Sequence, residues 1–168
     1  MQTTWIMVAN AGRARIFSES DPSQPLQEVE DMVSPAAHLR ELDQVTDKMS
    51  PTSAAGSGHN IGSGQGAGAA HHVAAGAPNN QYQPAQTPSE HEAEKFAKDI
   101  SNYLKQAHGE NRFGQLIISA SPEFLGTLRK NLDAQVQQLI KHEINKDYTQ
   151  VPTQQLREQI NAQQDKSQ

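Results

Sequence analysis

A glutamine set among glycines, Gly62-Ser63-Gly64-Gln65-Gly66, is the segment with the most specific chemical capacity in this sequence. Residues without a Cβ let a backbone come close to a reacting carbonyl. On such a tip the Gln65 amide can orient a water, and a backbone N–H can stabilise an oxyanion. Gly62, Gly64 and Gly66 would then give access, and Gln65 the catalysis. The competing reading is a low-complexity loop that holds a glutamine by chance, since glycine and glutamine are both abundant around it.

A second candidate group is cationic. Arg13 and Arg15 share one face of a strand, and Arg129, Lys130 and Lys141 follow later in the chain. Brought together, these side chains make a phosphate-binding strip; kept apart, they are ordinary charged surface. His59, His71 and His72 lie in the same segment as Gln65. A zinc site needs three or four ligands on a rigid frame, which this stretch does not offer, so no metal is expected. Asp43 and Asp47 could hold magnesium, but they read equally as solvated turn and surface acids. Ser119-Ala120-Ser121 closes a strand, where α/β ligand sites often lie. Helix capping accounts for Ser121, so no nucleophile is inferred. No G-x-S-x-G, Walker or dinucleotide motif occurs, and no cofactor is expected.

These residues need a scaffold, and the apolar pattern supplies one. Trp5-Ile6-Met7-Val8-Ala9 is an unbroken apolar run, which suits a strand covered on both faces. Asn10-Ala11-Gly12 reads as a tight turn of residues that tolerate positive φ. Arg13 to Phe17 alternates as a returning strand, and Leu26 to Val33 reads as a more polar edge strand. From about Thr46 to Thr87 periodicity stops. Pattern resumes at Thr87-Pro88-Ser89-Glu90, a capping box with proline in the first turn. Ala93, Phe96, Ala97, Ile100, Leu104 and Ala107 then recur at helical spacing, with Gly109 as a left-handed terminator. Gln115 to Ala120 reads as a buried strand, and Ser121-Pro122-Glu123 opens the next helix. Val136–Leu139 reads as helical, Ile140–Tyr148 as a strand, and a last helix starts near Pro152 with Leu156 and Ile160 facing in.

The expected order is β-β-β-(long loop)-α-β-α-β-α, an α/β fold with a mixed sheet and helices on its faces. A single domain is expected over 1–164, interrupted by a disordered Gly/Ala/His/Gln-rich insert at 46–87 and ending in a frayed polar tail at 161–168. The hydrophobic fraction of 35% is low for 168 residues, and the two ends must therefore supply the core. A net charge of −5 argues against wholesale nucleic-acid binding. With no cysteine, disulfides and thiolate chemistry are excluded. No apolar run approaches the length of a membrane span, and the cytoplasm is the expected location.

The order of these segments resembles the host attachment protein family. The resemblance rests on Thr4-Trp5-Ile6-Met7-Val8-Ala9, on Gly12-Arg13-Ala14-Arg15-Ile16-Phe17, on Glu94-Lys95-Phe96-Ala97-Lys98, on the run from Leu116 to Arg129, and on Lys146 to Pro152. It spans the chain apart from the insert. That family is similar in fold to the middle domain of archaeal and eukaryotic peptide-chain release factors, which implies an RNase H-like arrangement. In those factors a Gly-Gly-Gln loop promotes hydrolysis of peptidyl-tRNA on the ribosome. Here Gly64-Gln65 falls in the corresponding insert with Ser63 in place of the first glycine, and no Arg or Lys occurs between Pro51 and His91.

Two functions are therefore expected in competition. One is a stand-alone release-factor-like domain acting on peptidyl-tRNA or ribosomes, with Gln65 positioning water and Arg13 and Arg15 contacting phosphates. The other is a noncatalytic protein-interaction module that affects host attachment or envelope traits indirectly. Oligomeric state is not readable from the sequence.

Overall fold

The computed structural model describes residues 2–49 and 88–167. Strands β1 (Thr4–Ala9), β2 (Arg13–Glu19), β3 (Gln27–Val33), β4 (Gln115–Ala120) and β5 (Ile140–Ile144) form one sheet in the order β3-β2-β1-β4-β5. The first three pair antiparallel, whereas β4 and β5 run parallel to β1. This is the mixed sheet expected from sequence. Helices α2 (Pro88–Gly109), α3 (Pro122–Asn131) and the short α4 (Ala134–Gln137) cover one face, and α5 (Thr153–Lys166) covers the other.

The central position of β1 explains its unbroken apolar sequence. Trp5, Met7 and Ala9 pack toward α2, α3 and α4 with Phe96, Ile100, Leu104, Phe124 and Leu128. Ile6 and Val8 point the other way, into a smaller core with Phe17, Tyr148, Leu156 and Ile160. Successive side chains of a strand face opposite sides, so a strand between two helical layers must be apolar throughout. The α2 residues Phe96, Ile100 and Leu104 recur every four positions and are at most 2% exposed, as an amphipathic helix requires.

Several local expectations are corrected. A helix not read from the sequence, α1 (Pro35–Met49), follows β3 and takes up residues 46–49. Its start carries a recognisable signal, Ser34-Pro35: the Ala37 N–H donates to the Ser34 hydroxyl at 3.3 Å. Leu39, Leu42 and Val45 also recur at helical spacing, a second signal that the sequence reading passed over. At the Asn10–Gly12 turn no residue has positive φ. Asn10 shapes that turn through its side chain, and Gly12 is there because a Cβ would stand 3.3 Å from the Ala37 Cβ. Gly109 is helical, and the left-handed residue is Asn111, φ 57°. Around it the Arg112 N–H reaches the Ala107 carbonyl and the Asn111 N–H the His108 carbonyl, the pair of bonds that closes a Schellman motif. Strand β5 stops at Ile144, short of Tyr148, because the following residues turn to bind the first hairpin. Helix α5 extends to Lys166. Thr87 and the rest of the insert through it lie outside the described residues.

Candidate functional site

The carboxyl ends of β1 and β4 lie side by side, with Ala9 opposite Ala120. Open α/β sheets usually bind ligands at such a rim. Asn10 leaves β1 there, and its Oδ1 accepts from the backbone N–H groups of Gly12 and Arg13, both at 2.8 Å. Its Nδ2 donates to Asp147 Oδ2 at 2.9 Å and to Thr149 Oγ1 at 3.2 Å. Thr149, 1% exposed, donates to Asp147 Oδ1 from its N–H at 2.9 Å and from its hydroxyl at 2.7 Å. Ser119, fully buried at the end of β4, donates to the Lys146 carbonyl at 2.7 Å. Burial alone would raise the Asp147 carboxyl; the hydrogen bonds from Thr149 and Asn10 outweigh it and hold the group below its ordinary value. Both oxygens of Asp147 are thus occupied in clamping the last loop onto the first hairpin.

Arg15 completes the clamp. Its guanidinium pairs with Glu28 through two contacts of 3.1 Å and donates to the Thr149 carbonyl at 3.3 Å and the Val151 carbonyl at 3.1 Å. It lies 5.0 Å from the centre of the Phe17 ring. Arg13 is held in a two-pronged pair with Asp31 at 2.9 and 2.6 Å. The hydrogen bond from Arg13 holds the Asp31 carboxyl below its ordinary value. Arg129 pairs with Glu143 of β5, its Nε at 2.7 Å, and Lys130 is exposed beside it. Arg13 and Arg15 share the α5 face with Phe17, while Arg129 and Lys130 belong to α3 on the opposite face. The four cations expected to bind phosphate therefore stand as two separate pairs, and three of the four are engaged by carboxylates. Lys141 is exposed on β5.

Two shallow grooves flank the Asn10–Gly12 turn. One, of about 560 Å³, is lined by Ala11, Ser89, Glu90, Ser121, Glu123 and Thr127 among others. It adjoins the first turn of α2, where the chain returns from the insert. Ser121 occupies the N-cap position of α3 but makes no side-chain cap hydrogen bond, so capping does not account for its hydroxyl as expected. Glu90 and Glu123 make this groove acidic. The second groove, of about 470 Å³, includes Asn10, Arg13, Val33, Ala37, Glu41 and Gln150. Asp43 and Asp47 are exposed on α1, and no cluster of three or more His, Asp or Glu suited to a metal occurs among the described residues. Gln65, Gly62, Gly64, Gly66, His59, His71 and His72 lie outside the described residues.

The exposed face of α1 is the other candidate. Ala37 faces Gly12, and Arg40 pairs with Glu92 of α2 at 2.7 Å, which fixes the side of α1 turned to the body. At about 100° per residue, Leu39, Leu42 and Val45 fall on the far side. They are 61%, 49% and 53% exposed. With Val33, 43% exposed at the end of β3, these are the exposed large hydrophobic residues of the described chain. Single exposed apolar residues are ordinary, but a stripe on one helix face marks a contact surface.

The family model for proteins required for attachment to host cells matches residues 5–160. The chain belongs to this family. The match opens inside β1 and closes in α5, so it takes in nearly the whole sheet and both flanking helical layers. No curated protein matches the chain. Among solved structures, the crystal structure of the archaeal translation termination factor aRF1 aligns with a TM-score of 0.41 and 11% identity. The alignment covers 98% of this chain and 40% of that one, so this chain spans about two fifths of that factor's length. No helix among its described residues is long and apolar enough to cross a membrane.

Sequence reasoning missed Asn10, Asp147 and Thr149 as a unit. The Asp-x-Thr spacing at 147–149 is a signal for a side chain binding its own backbone two residues on. Nothing local tells that Asn10 is its partner.

Proposed function

We propose that this chain is a noncatalytic protein-interaction module contributing to attachment to host cells, with the outer face of α1 as its contact surface. The observation that carries the reading is the exposed stripe of Leu39, Leu42 and Val45. Two further observations support it. Arg13, Arg15 and Arg129 are occupied by Asp31, Glu28 and Glu143, so a phosphate would have to displace a carboxylate at each. The rim groove carries the exposed Glu123, which repels a phosphate backbone. The proposed location is the cytoplasm, which a sequence without cysteine suits, and the effect on attachment is then indirect. In cells lacking the protein, complementation with a Leu39→Ser, Leu42→Ser, Val45→Ser variant is expected to leave attachment at the level of the deletion, although the variant folds normally. Attachment equal to wild type would sink this reading.

A second reading keeps the release-factor-like activity, in which Gln65 positions water against a peptidyl-tRNA ester. Its support is that α2, the first described element after residues 50–87, begins beside the groove at the carboxyl ends of β1 and β4, the rim where α/β folds act on ligands. Peptide release from stalled ribosomes separates the two readings. A rate for wild type above that of Gln65→Ala supports the enzyme, and equal background rates dispose of it.

A further inference from the structure

The stripe on α1 is flanked by charges that say what it fits. Taking Leu42 and Val45 as the seam, helical periodicity places Glu41, which also lines the groove beside Arg13, and Lys48 on one shoulder, seven residues apart, and Leu39 and Thr46 on the other. Arg40 and Asp47 fall on the back, consistent with the Arg40–Glu92 pair to the body. When two copies of such a helix pack antiparallel about a two-fold axis, Leu42 of each meets Val45 of the other. The same register brings Glu41 of each opposite Lys48 of the other, twice. The shoulders of an antiparallel pair face their own kind, so opposite charges one heptad apart on a single shoulder are self-complementary only in that orientation. In a parallel pair Glu41 would face Thr46 and gain nothing.

We propose that α1 is a self-association surface, on which a second copy of this chain docks its own α1 antiparallel, Leu42 against Val45 and Glu41 against Lys48. This rests on the reading that the α1 stripe is a contact surface, but not on any role in attachment. The charges of α1 count against the other apolar occupant, a membrane: Glu41, Asp43 and Asp47 outnumber Arg40 and Lys48, and an anionic lipid surface repels such a helix. One pair of short helices buries less than the roughly 800 Å² per partner of a standard interface, so a reversible dimer in the micromolar range is expected.

Sedimentation equilibrium of the full chain over a wide concentration range tests it. Wild type is expected to pass from monomer to dimer. Leu42→Lys is expected to weaken association tenfold or more without lowering the melting temperature, since the side chain is half exposed. Glu41→Lys and Lys48→Glu alone each set like charges against one another twice and are expected to weaken the dimer, whereas the two combined restore it. A chain that stays monomeric to millimolar concentration overturns the proposal. So does a dimer indifferent to Leu42→Lys, or one that the combined charge exchange fails to restore. A monomer whose attachment still depends on the stripe would refute self-pairing while leaving the interaction module intact. A dimer whose attachment is indifferent to the stripe would do the reverse.

Discussion

Arg15 shows how much one guanidinium can hold when its partners come from three parts of the chain. It joins Glu28 of β3, two carbonyls of the loop after β5, and the ring of Phe17 beneath it. A lysine is a point charge without the planar fork, so Arg15→Lys keeps the charge and loses most of the geometry. It is expected to cost about 2 kcal/mol, from the orphaned carbonyls and the lost pair, as read from urea unfolding. Asp147 acts at the same scale. Its folded carboxyl titrates below the unfolded one, so the unfolded chain binds more protons as the solution is acidified. The stability it lends is complete above the unfolded value and is lost as pH falls below about 4. Asp31, held down by Arg13, contributes with the same sign. Asp147→Ala is expected to lower stability by about 1–3 kcal/mol at neutral pH and to flatten the acid limb of the stability curve. An acid limb as steep as in wild type would refute the role given to Asp147.

At the level of elements, burial decided what could be read in advance. Strands β1 and β4, helix α2 and the inner residues of α5 announce themselves because their apolar residues must repeat with the period of the structure that buries them. Leu104 is fully buried against the sheet, and Leu104→Ala is expected to cost about 2–5 kcal/mol. Leu42→Ser on α1 should cost less than about 0.5 kcal/mol, as for an ordinary surface change; a large loss there would mean that the stripe is covered within the monomer. Helix α1 was legible from its Ser34-Pro35 start and from the spacing of Leu39, Leu42 and Val45, but a stripe that serves no core was passed over. The clamp was illegible for another reason. Asn10 and Asp147 are 137 positions apart, and a polar pairing over that distance leaves no periodic trace. Sequence gives residue types without their partners, so it could not show that Arg13, Arg15 and Arg129 pair with Asp31, Glu28 and Glu143.

Taken as a whole, the molecule carries a net charge of −5, and Arg13, Arg15, Arg40, Arg129 and Arg157 are each paired with a carboxylate. The chain is therefore expected to pass a heparin column unretained at about 0.15 M salt, where only clustered cations hold a polyanion. Retention that salt reverses would show a basic surface and revive the nucleic-acid reading. The strand order has a further outcome for how this protein is made. The middle strand of the sheet, β1, is translated first, yet Thr4 meets its β4 neighbour Gln115 only 111 residues later. At about 5–20 residues per second, a nascent chain holds that apolar strand with one edge bare for several seconds or more. Until β4 emerges, the nascent chain carries an unpaired apolar strand edge, the kind of surface that favours aggregation.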